Sequence, residues 1–372
     1  MYNKKISISC ILLLVILNLV WVNPLFAVTT TQIDAVRNKE AIAESDITII
    51  EDFINEAFNE LLNKSDFSDI GALRNTIVSR SVASTSSGKI LYDSKFLTAF
   101  QPKFSDALQK VSAITDINRK NILTTNLLIL AYDMGKIEIS KSALNYLQDE
   151  NVMTRYWAAN NFSSNALITA LNAGSESDRK EIAGKILKAV QNEKLSDILT
   201  IYAQFASAIK DNAGNNILTS IAQKRIDLYL AWNVQDEMSE DTILKAMAER
   251  IKTDTDSTKI MGRYFSSLFS VVVQRYIQGQ GTLKDTDKNE LVTVIIQGDK
   301  YVQNFIPDWN GNFKRALDKD LSSLLAESNG LFGSAAGSGK MLTTLGFDYG
   351  KNPDGSAKTI PPTLAKPTAL NK

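Results

Sequence analysis

The sequence predicts an all-α fold built from stacked antiparallel helix pairs. Apolar residues recur at three- and four-residue steps along most of the chain, which is the periodicity of helices with one buried face. Runs of alternating β-branched residues between tight turns are missing, and the one strand-like stretch, residues 291–296, has flanks of helical periodicity. Only seven prolines occur, and most lie outside the predicted helical body, residues 28–349.

The first 27 residues have the order of an export signal. Two lysines form a basic start, residues 6–22 are almost wholly apolar, and the small residue Ala27 precedes a polar stretch. This order predicts a signal peptide, residues 1–27, that directs the protein to the periplasm or out of the cell and is cleaved after Ala27. An uncleaved anchor is the alternative, although the apolar run is slightly shorter than the ~20 residues of a spanning helix. After cleavage we expect no stable membrane insertion.

Four helices of the body can be placed from their apolar stripes and caps. One stripe predicts a helix over residues 46–63, and another predicts a long helix over residues 261–277. Ser175 and Ser239 each precede two nearby acidic residues and a further stripe. We expect each serine to cap a helix, because its hydroxyl accepts from free backbone amides while the acids suit the helix dipole. The body is therefore one large helical domain or two subdomains.

A weak internal repeat appears in the middle of the chain, at an offset of 43 residues. Helix-pair repeats have periods of roughly 40–47 residues. The aligned pairs are Leu144 with Leu187, Leu147 with Val190, Glu150 with Glu193, Val152 with Leu195, Tyr156 with Leu199 and Phe162 with Phe205.

Residues 151–162 resemble the second helix of a HEAT repeat. That family favours an Asp or Asn, then Val-Arg, two variable positions, Ala-Ala and a later apolar residue. The residues that match are Asn151, Arg155, Ala158, Ala159 and Phe162, while Thr154 replaces the usual Val. In the second copy, Ile198, Ile201 and Tyr202 replace the Arg and both alanines. The resemblance covers residues 143–208 and implies a solenoid of stacked pairs, with an irregular helical domain as the alternative.

The C-terminal segment, residues 350–372, differs in composition from the body. It contains no aromatic residue, and Pro, Lys and Thr dominate it. Such a segment buries too little apolar surface to offset the entropy of ordering, so the sequence predicts a disordered tail.

Composition excludes several classes of function. The chain has 41 basic and 41 acidic residues, so it lacks the basic excess of a nucleic-acid-binding protein. It has no histidine, and its single cysteine, Cys10, lies in the predicted signal peptide. The mature chain therefore lacks the commonest metal ligand, the commonest general base and any thiol nucleophile. We expect no cofactor and no bound metal.

Two short motifs resemble ligand loops but lack essential residues. Residues 333–341 approach a phosphate-binding loop, yet Ser334 stands where the first glycine belongs and Met341 replaces the magnesium-binding hydroxyl. We interpret this stretch as a flexible linker. The acidic and amide residues of 285–296 and 308–319 begin like calcium loops, but both stretches lack the glycine at position six and the glutamate at position twelve.

Two groups of residues are candidates for an interaction surface. One group shares a helix face at four-residue spacing, and the other joins a cation to two aromatic rings. They are Asp52, Glu56 and Glu60, and Arg155, Tyr156 and Trp157. Each group has a plainer interpretation as well, a solvated helix face for the acids and rings that lock neighbouring helices for the aromatics.

These observations favour an exported, non-catalytic protein that uses a helical-repeat surface to bind another protein. The alternative is an exported all-α enzyme that acts on polysaccharide through aspartate and glutamate, and it rests on fold analogy alone. An enzyme of that kind needs two carboxyls about 5–10 Å apart in an aromatic-lined cleft.

Overall fold

The computed structural model describes residues 28–84, 88–210, 212–254 and 257–367. The predicted signal peptide, residues 1–27, lies outside them. Within the described residues the chain is helical apart from loops and one two-stranded hairpin, so the all-α prediction is confirmed. None of the described helices combines the length and apolar character that crossing a membrane requires.

The helices of the described residues are numbered here in chain order. In the first part of the chain they are α1 (Thr31–Arg37), α2 (Glu44–Asn63), α3 (Phe67–Arg80), α4 (Lys89–Ser112), α5 (Ile117–Met134), α6 (Ile137–Ser140), a 3-10 helix (Lys141–Tyr146), α7 (Val152–Asn160) and α8 (Asn165–Ala173). They continue as α9 (Glu176–Asn192), α10 (Ser196–Ala208), α11 (Ala213–Leu230), α12 (Ser239–Thr253), α13 (Thr258–Gln278), α14 (Asp285–Gln303), α15 (Phe313–Lys319), α16 (Leu321–Phe332) and α17 (Lys340–Leu345).

The chain divides into two compact units, Met1–Asn126 and Leu127–Lys372, with the boundary inside α5. In the first unit α2 packs along α4, and α1 packs against α2 and α3. Its core contains a column of rings from α4, in which Phe100 lies 6.0 Å from Phe96 and 5.7 Å from Phe104 between ring centroids. The column forms because phenylalanines four residues apart share one face of a helix.

The second unit stacks its helices in two rows. One row runs α7, α10, α12, α14, and the other runs α9, α11, α13, α16, with each helix packed against the next in its row. Contacts of α10 with α11, of α12 with α13 and of α13 with α14 join the rows. This arrangement confirms the predicted packing of helix pairs.

The first row has a regular spacing along the sequence. Its helices begin at residues 152, 196, 239 and 285. Successive starts are about 44 residues apart, which is within the period of helix-pair repeats. The HEAT-like character of residues 143–208 itself stays a prediction.

The two predicted serine caps have different outcomes. The Ser175 hydroxyl accepts from the Ser177 amide at 3.0 Å, so this cap of α9 is confirmed. Ser239 is instead the first residue of α12, and Met238 is the N-cap. The difference arises because the backbone already turns at Glu237, whose carbonyl accepts from the Glu240 amide.

The glycine-rich segment before α17 is a hairpin, where the sequence predicted a flexible linker. Strands β1 (Gly333–Ser334) and β2 (Gly337–Ser338) pair antiparallel directly after α16. A Cβ at Gly339 would lie 2.2 Å from the Phe332 carbonyl carbon, so only glycine permits this close return of the chain. This segment follows a helix and forms a hairpin, whereas a phosphate-binding loop follows a strand and leads into a helix.

The C-terminal segment departs from the predicted disorder over its described part, which ends at residue 367. Backbone hydrogen bonds join Tyr349 with Lys358, and Lys351 forms a β-bridge with Ala357. Further along, Leu364 is buried at 2% exposure. The segment is held by one apolar anchor and by side chains that bind its backbone, which average composition does not reveal.

Candidate functional site

Three exposed apolar side chains lie at the starts of successive helices in the first row. Val152 is the first residue of α7, Leu195 is the N-cap of α10, and Met238 is the N-cap of α12. Their exposed fractions are 47%, 38% and 38%. Equal steps of 43 residues separate positions 152, 195 and 238. We call these three residues the apolar ladder.

An ion pair joins the two chain segments that carry the first two residues of the apolar ladder. Arg155 of α7 donates through Nε to Glu193 Oε2 at 2.9 Å and through Nη1 to the Asp149 carbonyl at 2.8 Å. The other oxygen of Glu193 accepts from the Leu195 amide at 3.0 Å. Since Glu193 is buried, the pair fixes the start of α10 beside the turn that precedes α7.

A second ion pair joins the starts of α10 and α12. The Arg225 guanidinium, from α11, pairs with Glu240, and both side chains are almost completely buried. Its Nη2 lies 3.0 Å from Glu240 Oε2, and its Nη1 donates to the Ser196 hydroxyl at 2.9 Å. Nη2 also donates to the Asp236 carbonyl at 3.1 Å. One arginine thus holds the turns that carry Leu195 and Met238 together.

A third arginine binds the turn that precedes Met238. Arg275 of α13 donates to Glu237 Oε1, at 2.9 Å from Nε, and both residues are buried. Its guanidinium carbon also lies 5.3 Å from the centroid of the Trp232 ring, which is a cation–π distance. Ion pairs with buried members therefore lie beneath the row of helix starts.

The edge of the apolar ladder is acidic. Glu150, Glu193 and Asp236 each precede a ladder residue by two positions, and Glu150 and Asp236 are exposed. An open groove of about 390 Å³ lies between the first two helix starts, and Glu150, Arg155 and Lys194 are among the residues that line it. The apolar ladder therefore has exposed carboxylates beside its first and third members, whereas the exposed Lys194 directly precedes its second member.

Burial also suppresses ionisation behind this surface. The Tyr202 ring of α10 is fully buried, and desolvation together with the nearby Glu193 carboxylate raises the pKa of its hydroxyl. The hydroxyl therefore stays protonated at neutral pH and contributes no charge.

The structure gives the three predicted residues of α7 different roles. Arg155 lies at the surface and forms the ion pair with Glu193. Trp157 is half-buried, and its ring meets those of Tyr132 and Tyr156 edge-on at 6.0 and 5.8 Å. Trp157 thus contacts a ring of α5, whereas the ring contact of Tyr156 is with its neighbour on α7, and a role of these residues in an interaction surface stays a prediction.

The three predicted acidic residues lie on α2, in the Met1–Asn126 unit. Asp52 and Glu56 are exposed. Glu60 accepts from the Val28 amide at 3.0 Å and pairs with Lys64 at 3.3 Å. The six predicted residues therefore divide between the two units, and neither unit contains all of them.

The described residues contain a large open groove outside the apolar ladder. They include no group of three or more acidic, histidine or cysteine side chains placed to hold a metal ion. An open groove of about 850 Å³ lies at the C-terminal ends of α10 and α12, where Glu176, Asp254, Arg179 and Lys210 are among the lining residues. None of the side chains that line this groove is aromatic, so it lacks the walls that a sugar-binding cleft requires.

A buried carboxyl that the sequence did not indicate lies on α14. Asp299 is almost fully buried, and it accepts from the Trp309 indole at 2.6 Å and from the Phe313 amide at 3.2 Å. It thereby fixes the loop that precedes α15. Desolvation raises the pKa of Asp299 above its ordinary value.

The raised pKa of Asp299 predicts a specific dependence of stability on pH. The folded state binds the proton more tightly than the unfolded chain, so its stabilising effect is complete below the unfolded pKa of about 3.9 and is lost as the pH rises through the folded pKa. Urea unfolding between pH 3 and pH 7 measures this loss, and Asp299→Asn should remove it. The exposed Asp308→Asn is the control, and an Asp299→Asn profile parallel to that of the wild type would contradict the assignment.

Comparison with known proteins identifies no family for this chain. No family model matches it, and no curated protein matches it either.

Proposed function

We propose that this protein is exported and binds another protein, without catalysis, through the apolar ladder. The observation that carries the proposal is the exposure of apolar side chains at equivalent positions of three adjacent helix starts. The ion pairs of Arg155 and Arg225 join these helix starts, and apolar residues exposed together on one surface mark sites of protein interaction. The export step rests on the N-terminal signal pattern.

The spacing of the apolar ladder fits an amphipathic helix as the partner. Packed helices lie about 8–10 Å apart, so neighbouring ladder residues are separated by a similar distance. A partner helix rises about 1.5 Å per residue, so it covers that distance in about five to seven residues, and seven residues make about two turns. An apolar residue every two turns would therefore meet Val152, Leu195 and Met238 in turn, and basic residues beside that stripe would face Glu150 and Asp236.

A binding measurement with a synthetic helix tests the proposal. The probe is a labelled amphipathic helix with leucines at seven-residue intervals and flanking lysines, and its affinity is read from fluorescence anisotropy. Replacing Val152, Leu195 and Met238 together by serine removes roughly 1 kcal/mol of burial for each partly exposed side chain. The expected loss of affinity is about 100-fold.

The matched control replaces three other exposed apolar residues of the same unit by serine, Ile260, Leu321 and Leu325. This control should keep wild-type affinity, because its residues lie away from the first-row helix starts. Equal loss of binding in both triple variants would show non-specific adhesion and reject the proposal. Turnover of a glycan by the wild-type protein would favour the polysaccharide enzyme.

A further inference from the structure

The C-terminal segment lies on α13 as an extended peptide whose backbone is bound by side-chain amides. Gln274 donates through Nε2 to the Pro362 carbonyl at 2.9 Å, and its Oε1 accepts from the Leu364 amide at 2.7 Å. Gln278 donates to the Leu364 carbonyl at 3.0 Å. These three bonds satisfy the peptide backbone as a neighbouring strand would.

The two glutamines match the repeat of an extended chain. Residues 274 and 278 lie one turn apart on one helix face, a rise of about 6 Å. An extended chain advances about 6.6 Å over two residues, so the carbonyls of Pro362 and Leu364 meet successive amides. The helix therefore presents hydrogen-bonding groups at the period of a bound peptide.

The far end of the segment is bound by a tryptophan in a strained turn. The Trp232 indole donates to the Ala365 carbonyl at 2.7 Å. Trp232 has φ of +54°, a left-handed conformation that disfavours a bulky residue, and Arg275 stacks on its ring. Strain of this kind persists where a side chain must be aimed at a particular position, and here the indole is aimed at the peptide.

One side chain and two prolines supply selectivity. Leu364 is 2% exposed, whereas Thr363 and Ala365 on either side are exposed. Pro361 and Pro362 restrict the backbone before the anchor, so less entropy is lost on docking. The bound sequence pattern is therefore Pro-Pro-x-Leu.

We propose that Trp232, Gln274 and Gln278 form a binding site for extended Pro-Pro-x-Leu peptides of a partner protein, and that the chain's own tail occupies this site in cis. A tethered ligand has an effective concentration in the millimolar range, so the tail closes the site to peptides of modest affinity. The inference concerns a surface separate from the apolar ladder and does not depend on the proposed function.

The test frees the site in the full-length protein. Leu364→Asp places a charge in the apolar pocket and releases the tail, while Thr363→Asp adds the same charge at the exposed neighbouring position and leaves the tail bound. The probe is a labelled synthetic peptide of residues 359–367, and its binding is read from anisotropy. We expect Leu364→Asp to bind the peptide at least 10-fold more tightly than the wild type or Thr363→Asp.

Two further variants assign the contacts. The double variant Leu364→Asp with Gln274→Ala should lose the gained affinity, and the peptide carrying aspartate at the leucine position should not bind Leu364→Asp. Circular dichroism confirms that each variant keeps its helical content. Equal, weak binding by natively helical Leu364→Asp and wild type would overturn the proposal. A wild-type dimer that disappears in Leu364→Asp would assign the site to the tail of a second copy instead and overturn the partner assignment.

Discussion

Replacing Arg225 by methionine is expected to lower the free energy of unfolding by about 3–5 kcal/mol. The methionine fills much of the same volume but leaves the Glu240 carboxylate, which is 0% exposed, without its counter-ion. Removal of one partner from a buried pair costs more than the pair contributes, because the remaining charge stays desolvated. The Ser196 hydroxyl and the carbonyls of the 235–236 turn lose their donor as well.

Urea unfolding followed by circular dichroism measures this effect. The double variant Arg225→Met with Glu240→Leu should recover most of the loss, since it removes the stranded charge along with its partner. Lys180→Met is the matched surface control, because the pair of Lys180 with Glu176 is exposed and its expected effect stays below about 1 kcal/mol. A loss under 1 kcal/mol in Arg225→Met would contradict the expectation that Glu240 stays charged and desolvated in the variant.

Replacing Phe100 by alanine is expected to cost the first unit about 3–5 kcal/mol. Phe100 is fully buried in the middle of the ring column, and it lies 5.2 Å from Phe58 of α2 as well as beside its neighbours on α4. Its removal leaves a cavity at the contact between the two longest helices of the unit. Both the lost apolar burial and the cavity contribute to the cost.

Amide hydrogen exchange in α2 and α4 measures the effect in this unit separately from the rest of the chain. Phe67→Ala is the control, because Phe67 is 52% exposed and its truncation should change stability by no more than about 0.5 kcal/mol. Unchanged exchange protection of α4 in Phe100→Ala would mean that the column is not the core of this unit.

Helix type and position could be predicted from the sequence where an apolar stripe and a cap coincide. The predicted helix over 46–63 is Glu44–Asn63, and the Ser175 cap is confirmed by its hydrogen bonds. The Ser239 cap was wrong by one position, because a serine before acids fits both the cap and the first turn. The turn at Glu237 and Met238 starts the helix one residue earlier than the cap prediction requires.

The exposure of the apolar ladder and the contacts of the tail depend on information that periodicity does not contain. The 43-residue alignment already paired Val152 with Leu195, but only the structure shows that both side chains are exposed. The buried pair of Arg225 with Glu240 joins two helices, and that of Arg275 with Glu237 joins a helix to a turn. Charge spacing along the chain does not indicate either pair. The tail is held by two glutamines of α13 and by its own buried leucine, and the average composition of the tail does not reveal such single contacts.

Trp232 belongs at once to the tail site and to the base of the apolar ladder. Its indole donates to the tail backbone, and its ring contacts the Arg275 guanidinium. Arg275 in turn pairs with Glu237, which directly precedes Met238. A ligand that moved this turn would act on both surfaces, and thermodynamic linkage would make the effect reciprocal. If tail docking changes the affinity of the ladder's partner by some factor, that partner changes the docking equilibrium of the tail by the same factor. In that case tail release measures the binding of the proposed partner.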